Sequence, residues 1–88
     1  MATVRIQLID DHEIVRAGFR HLLEKEGNML VVAESATGKQ ACCDYDTYKP
    51  DMVITDISLP DISGLEVIRR IRLEDPHALI LVFSMHAG

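Results

Sequence analysis

Four short apolar runs divide this chain, and a segment with helical spacing lies between each pair of them. VRIQLI (4–9), MLVVAE (29–34), DMVIT (51–55) and ALILVFS (78–84) have the length and branched-residue content of strands. Between them, residues 12–26 place Ile14, Val15, Phe19, Leu22 and Leu23 at helical spacing and stop at Gly27-Asn28. A weaker helix opens at Thr37-Gly38 and runs to about Tyr48, with Ala41, Cys42, Tyr45 and Tyr48 on its apolar side; Pro50 ends it. The third helix is predicted over 63–75, with Ser63 as N-cap, Glu66 three residues on, and Leu65, Ile68 and Ile71 or Arg72 in the pattern. Strands that alternate with helices of this length predict an α/β fold, a parallel sheet with helices on both sides and right-handed crossovers. The last run is continuous rather than alternating, which predicts a strand covered on both faces.

Residues 1–88 make one small domain with no linker or repeat, and a core of this size leaves little stability to spare. The formal net charge of −5, without a long basic cluster, argues against direct nucleic-acid binding. The apolar run at the N-terminus is too short for a signal peptide or a membrane span. Cys42 and Cys43 are adjacent, with neither disulfide nor metal spacing, and read as inert helix residues of a cytoplasmic protein.

An open parallel sheet binds its ligands beyond the carboxyl ends of its strands. Asp10 and Asp11 follow the first strand here, Asp56 ends the third and Ser84 ends the fourth. If the first and third strands are neighbours, three carboxylates converge although 45 residues separate Asp11 from Asp56. Like charges so close need compensation, and an oxygen-only cluster suits Mg²⁺. Beside such a cation one carboxylate can act as nucleophile in phosphoryl transfer, with Ser84 donating to a phosphoryl oxygen. Each acid also has an ordinary explanation: Asp10-Asp11 as the N-cap of the first helix, Asp56 as a solvated strand end. His12 and Glu13, at the mouth of the pocket, read as first-turn residues facing solvent, with control of access to the pocket as the alternative. Arg69, Arg70 and Arg72 read as a solvated helix face with acidic neighbours.

Taken together, LIDDHEIVRAGFRHLLE, DMVITDISLPDISGLEVIRRIR and LVFSMH resemble the receiver domain of bacterial two-component response regulators, in the NarL/UhpA branch with a LuxR-type output domain. The resemblance implies a flavodoxin-like, doubly wound sheet of order 2-1-3-4-5. It makes Asp56 the acceptor of a phosphoryl group from a sensor histidine kinase. It implies Asp11 as the principal Mg²⁺ ligand, with Asp56, the backbone carbonyl of Ser58, and Asp10 through water. Ser84 matches the hydroxyl that moves toward the phosphoryl group, while Pro60 and Gly64 shape the loop after Asp56. His86 matches a histidine common after that serine and is read as a surface residue only. Against the family's pattern the chain stops after the fourth strand, so the order expected is 2-1-3-4. The fifth strand with its lysine, the last two helices and the DNA-binding output domain are missing.

That departure implies slow or undetectable phosphorylation, and an apolar edge strand that leads to strand pairing or domain swapping in a homodimer, or to poor solubility. The chain then reads as a signalling module rather than an enzyme. Two alternatives stay open: a silent pseudo-receiver or interaction fragment, and a Mg²⁺-dependent phosphatase of the haloacid dehalogenase type. The second needs an aspartate two residues after the nucleophile, where this chain has Ser58.

Overall fold

The computed structural model describes residues 3–84; His86 lies outside them. The elements run β1 (Val4–Ile9), α1 (Glu13–Glu24), β2 (Met29–Ser35), α2 (Gly38–Tyr48), β3 (Met52–Asp56), α3 (Gly64–Glu74) and β4 (Ile80–Phe83). All strand pairings are parallel and the order is β2-β1-β3-β4, as the alternating pattern and the resemblance together predict. The register between β1 and β2 slips by one residue after Ile6, which passes over Val32 and brings Ser35 opposite Ile9. Among the described residues no helix is long and apolar enough to cross a membrane.

Strand alternation sends side chains to two sides of the sheet, and each side has its own core. Ile9, Val53 and Ala78 pack with Ala41 of α2 and with Val67 and Ile71 of α3. Ile6, Leu8, Val31 and Ile54 form the other core, against Phe19 and Leu23 of α1. There Phe19 meets Phe83 with ring centroids 5.0 Å apart. Full burial of a side chain such as Val67 or Ile71 contributes about 1.5–3 kcal/mol.

Three expected apolar stripes are corrected. In α1, Phe19 and Leu23 face the sheet one turn apart, but Ile14 is 87% and Leu22 65% exposed. Ile14 lies near the far side of the helix from that pair, and Leu22 is turned by roughly 100° from Leu23, the angle between successive helical residues. In α3 the buried line is Gly64, Val67 and Ile71, so Leu65 faces outward while Val67, absent from the expected stripe, lies in the core. β4 is shorter than the apolar run and is not covered on both faces: Leu81 and Val82 are exposed. The cause is position, because β4 is an edge of the sheet and pairs only with β3 among the described residues.

Candidate functional site

The site forms where β1 and β3 end side by side. Ile9 pairs with Thr55, so Asp10 and Asp56 leave neighbouring strands at the same level. Both are buried, Asp10 at 2% and Asp56 at 0% exposure, while Asp11 and His12 stand at the mouth. One ligand atom from each of Asp10, Asp11, His12 and Asp56 lies within 4.8 Å of all the others. The sequence prediction that the three carboxylates meet is met in space.

Backbone donors hold these acids in place. Asp10 Oδ1 accepts from the His12 backbone N–H at 3.0 Å, and the His12 Nδ1 sits 2.7 Å from the same oxygen. Arg16, one turn into α1, donates to the main-chain carbonyl of Asp10 at 2.5 Å and pairs with Glu34 of β2, which ties α1 to the end of β1. Asp56 Oδ1 accepts from the Ser58 N–H at 3.2 Å. In the same loop the Gly64 N–H donates to the Ile57 carbonyl at 2.7 Å. Any Cβ at residue 64 would collide with the carbonyl oxygen of Asp56, so the first turn of α3 approaches the acid only because that residue is glycine.

Each buried acid has one oxygen left over. Asp10 Oδ2 and Asp56 Oδ2 are enclosed and have no hydrogen-bond partner among the described residues. Leaving a carboxylate oxygen dry and unpaired is costly, and two such oxygens beside a third carboxylate add like-charge repulsion. The donor set therefore fits a hard divalent cation with its bound water, which would partner the orphaned oxygens directly or through that water and neutralise the cluster.

His12 is the residue that sequence reasoning undervalued. Its Nδ1 lies 2.7 Å from Asp10 and 3.1 Å from Asp11, and the Asp10 carboxylate, with Asp11 beside it, holds the imidazolium above its usual range. The available signal was its place two residues after Asp10, where an aspartate oxygen accepts the backbone N–H and draws the following side chain back over itself. Glu13 is exposed in the first turn of α1, as expected. Ser84 follows Phe83, the β4 partner of Asp56, and stands exposed at the same end of the sheet. Arg69 and Arg70 both pair with Glu66, at 2.6 and 2.8 Å, and hold its carboxyl down at about 2, which makes them a solvated ion-pair face. A separate groove between α2 and α3, walled by Cys42, Tyr45, Arg70 and Glu74, contains none of the three aspartates.

Comparison with known proteins agrees with this geometry. Residues 6–88 match the response regulator receiver domain family. The transcriptional activator protein ExaE of Pseudomonas putida is 42% identical over 81 residues, covering 92% of this chain and 38% of ExaE. Response regulator UvrY of Escherichia coli is 37% identical over 83 residues, covering 94% of this chain and 38% of UvrY. The chain thus spans under two-fifths of the length of these relatives. Among solved structures, a LuxR-family two-component response regulator from Aurantimonas superposes with a TM-score of 0.92 at 46% identity, over 99% of this chain and 62% of that one. The RcsB response regulator of Salmonella typhimurium superposes with a TM-score of 0.88 at 28% identity, over 98% of this chain and 44% of RcsB. A parallel β2-β1-β3-β4 sheet, three acids at its carboxyl end and these relatives lead to one assignment: the chain belongs to the response regulator receiver domain family, among regulators of the LuxR type.

Proposed function

We propose that this chain is the phosphoacceptor module of a two-component transcription regulator, taking a phosphoryl group at Asp56 from a phosphohistidine of a sensor kinase. The observation that carries the reading is the pair of buried, unpartnered oxygens, Asp10 Oδ2 and Asp56 Oδ2, on two acids that cluster with a third carboxylate at the end of the sheet. In this reading Asp11, Asp56 and the backbone carbonyl of Ser58 hold Mg²⁺, with Asp10 acting through water. When bound, the cation supplies charge neutralisation for an anionic nucleophile and an anionic phosphoryl group.

The chain's own residues do the rest. A carboxylate oxygen of Asp56 attacks phosphorus, the P–N bond to the kinase imidazole breaks, and its electron pair returns to that nitrogen. The Ser58 N–H fixes the rotamer of Asp56, leaving Oδ2 as the oxygen without a partner. Ser84 donates to a phosphoryl oxygen and carries the change toward the far face. RcsB has been solved on a promoter in the presence of the phosphomimetic BeF₃⁻, which supports the same chemistry for this pocket. A net charge of −5 supports a role without direct DNA contact by this chain; in this reading the chain acts in the cytoplasm, with output through another domain.

The test is incubation with Mg²⁺ and acetyl phosphate, read by intact mass. We expect one added phosphoryl group in the wild type and none in Asp56→Asn. A folded wild-type chain that gains no mass overturns the acceptor reading and leaves the pseudo-receiver.

A further inference from the structure

We propose that His12 is itself a cation ligand of the acidic pocket, so that the site takes a first-row transition ion such as Zn²⁺ or Co²⁺ through a nitrogen as well as through carboxylates. This rests on the reading of the pocket as a divalent-cation site and adds a donor of a different chemical class to it.

Position carries the argument. The His12 Nδ1 is one of four donor atoms packed within 4.8 Å of one another, the other three being carboxylate oxygens of Asp10, Asp11 and Asp56. It belongs to a half-exposed side chain and lies 2.7 Å from Asp10 and 3.1 Å from Asp11. Cis ligands around a small divalent ion stand about 3 Å apart when each is roughly 2.1 Å from the metal, so this nitrogen is already near the spacing of a ligand. Independently, Asp10 Oδ2 and Asp56 Oδ2 are enclosed and unpartnered, so the cluster lacks an acceptor for its own lone pairs. His12 does not cap α1 with its side chain, which leaves the ring without a structural duty in the helix that it begins.

The chemistry follows from the donor set. Mg²⁺ prefers oxygen ligands and gives up water reluctantly, and it gains little from an imidazole. Zn²⁺ and Co²⁺ take imidazole nitrogen readily alongside carboxylates. Coordination replaces the proton that Nδ1 shares with Asp10, and that proton leaves to solvent. The imidazole thus adds to the affinity for a borderline ion and little to that for Mg²⁺, which widens the gap between them beyond what three carboxylates give.

The experiment titrates Zn²⁺ and Mg²⁺ separately into the full chain at fixed pH by calorimetry, in the wild type, His12→Ala and His12→Gln. Both variants keep His21, His77 and His86, so any binding at those residues cancels in the comparison. His12→Gln retains a donor toward Asp10 but no imidazole. We expect both variants to lose about tenfold or more in Zn²⁺ affinity, while Mg²⁺ affinity, which draws on the oxygen donors, holds. In the wild type, Zn²⁺ also shifts the Nδ1 nitrogen resonance assigned to His12. Equal Zn²⁺ affinity in the wild type and His12→Ala, with Mg²⁺ still bound, overturns the assignment of His12 alone. Absence of binding by either cation to the wild type overturns both this inference and the cation pocket on which it rests.

Discussion

Two glycines carry opposite predictions, and surroundings decide the sign. Gly18 sits inside α1 with open space where a Cβ would go, so Gly18→Ala should raise stability by about 0.5–1 kcal/mol through a less flexible unfolded chain. At Gly64 the same methyl group meets the Asp56 carbonyl, and Gly64→Ala should cost about 1–3 kcal/mol, since backbone must move to admit it. Urea denaturation of the two variants, one moving the midpoint up and the other down, checks both. Both glycines are visible in the sequence, but only the fold distinguishes them. The acids were legible at this scale for a different reason. Asp10, Asp11 and Asp56 each interrupt an apolar run at its carboxyl end, and in a parallel sheet those ends share one edge. His12 was not legible, because its value depends on a turn that folds its ring back over Asp10, and no periodicity reports that.

α2 shows what an element owes to distant partners. Its own sequence is weakly amphipathic, and it is held by charge at both ends. Asp61, in the loop after β3, accepts from the N–H groups of Gly38 and Lys39 at 2.8 and 2.9 Å, over the first turn. At the other end the Arg5 guanidinium donates to the carbonyls of Tyr48 and Lys49, where Lys49 turns into the left-handed region at φ 46°. An anion at the N-terminus and a cation at the C-terminus match the helix dipole, and they satisfy backbone groups that the helix itself cannot. The N–H groups of Lys39 and Gly38 hold the Asp61 carboxyl at about 2, against an ordinary 3.8. A carboxyl depressed in the folded state adds stability that is complete above its unfolded value and is lost as pH falls toward the folded one. We therefore expect Asp61→Asn to lower Tm above pH 3.8, and the gap from the wild type to narrow as pH approaches 2, as followed by circular dichroism. The sequence showed this helix opening at Thr37-Gly38, and the Thr37 hydroxyl accepts from the Gln40 N–H. It could not show Asp61 or Arg5, which lie more than 20 residues from the groups they hold.

In the whole molecule, the two sides of the sheet are unequally dressed. Two helices cover one side, α1 alone covers the other, and no residue of α1 is fully buried. The strand order came from the family resemblance, whereas parallel pairing and helices on both sides were legible because alternating strands and helices admit few right-handed arrangements. Which apolar residues would be left outside was not, since Ile14, Leu22 and Leu81 are as apolar as their buried neighbours, and only the absence of a covering element separates them. The exposed Leu79, Leu81 and Val82 line an edge whose outer backbone pairs with no described strand. Such an edge invites a second copy. We expect the chain to associate with itself as concentration rises, and Leu81→Lys to shift that equilibrium toward monomer by about tenfold or more, by replacing an apolar edge contact with a charge. Sedimentation equilibrium measures both, and a monomer at every concentration removes the expectation.

The carboxylate that steadies α2 also makes a gauge. Asp61 lies five residues downstream of Asp56, in the loop that Gly64 presses against the acid, yet it grips amides on another helix. A rearrangement of that loop must tug on the Gly38 and Lys39 N–H groups, whose proton resonances are sensitive to the length of the bond they donate. Those two amides should shift when beryllofluoride is added with Mg²⁺, and stay still in Asp61→Asn under the same addition. Chemistry at one strand end then becomes audible a helix away, without a label.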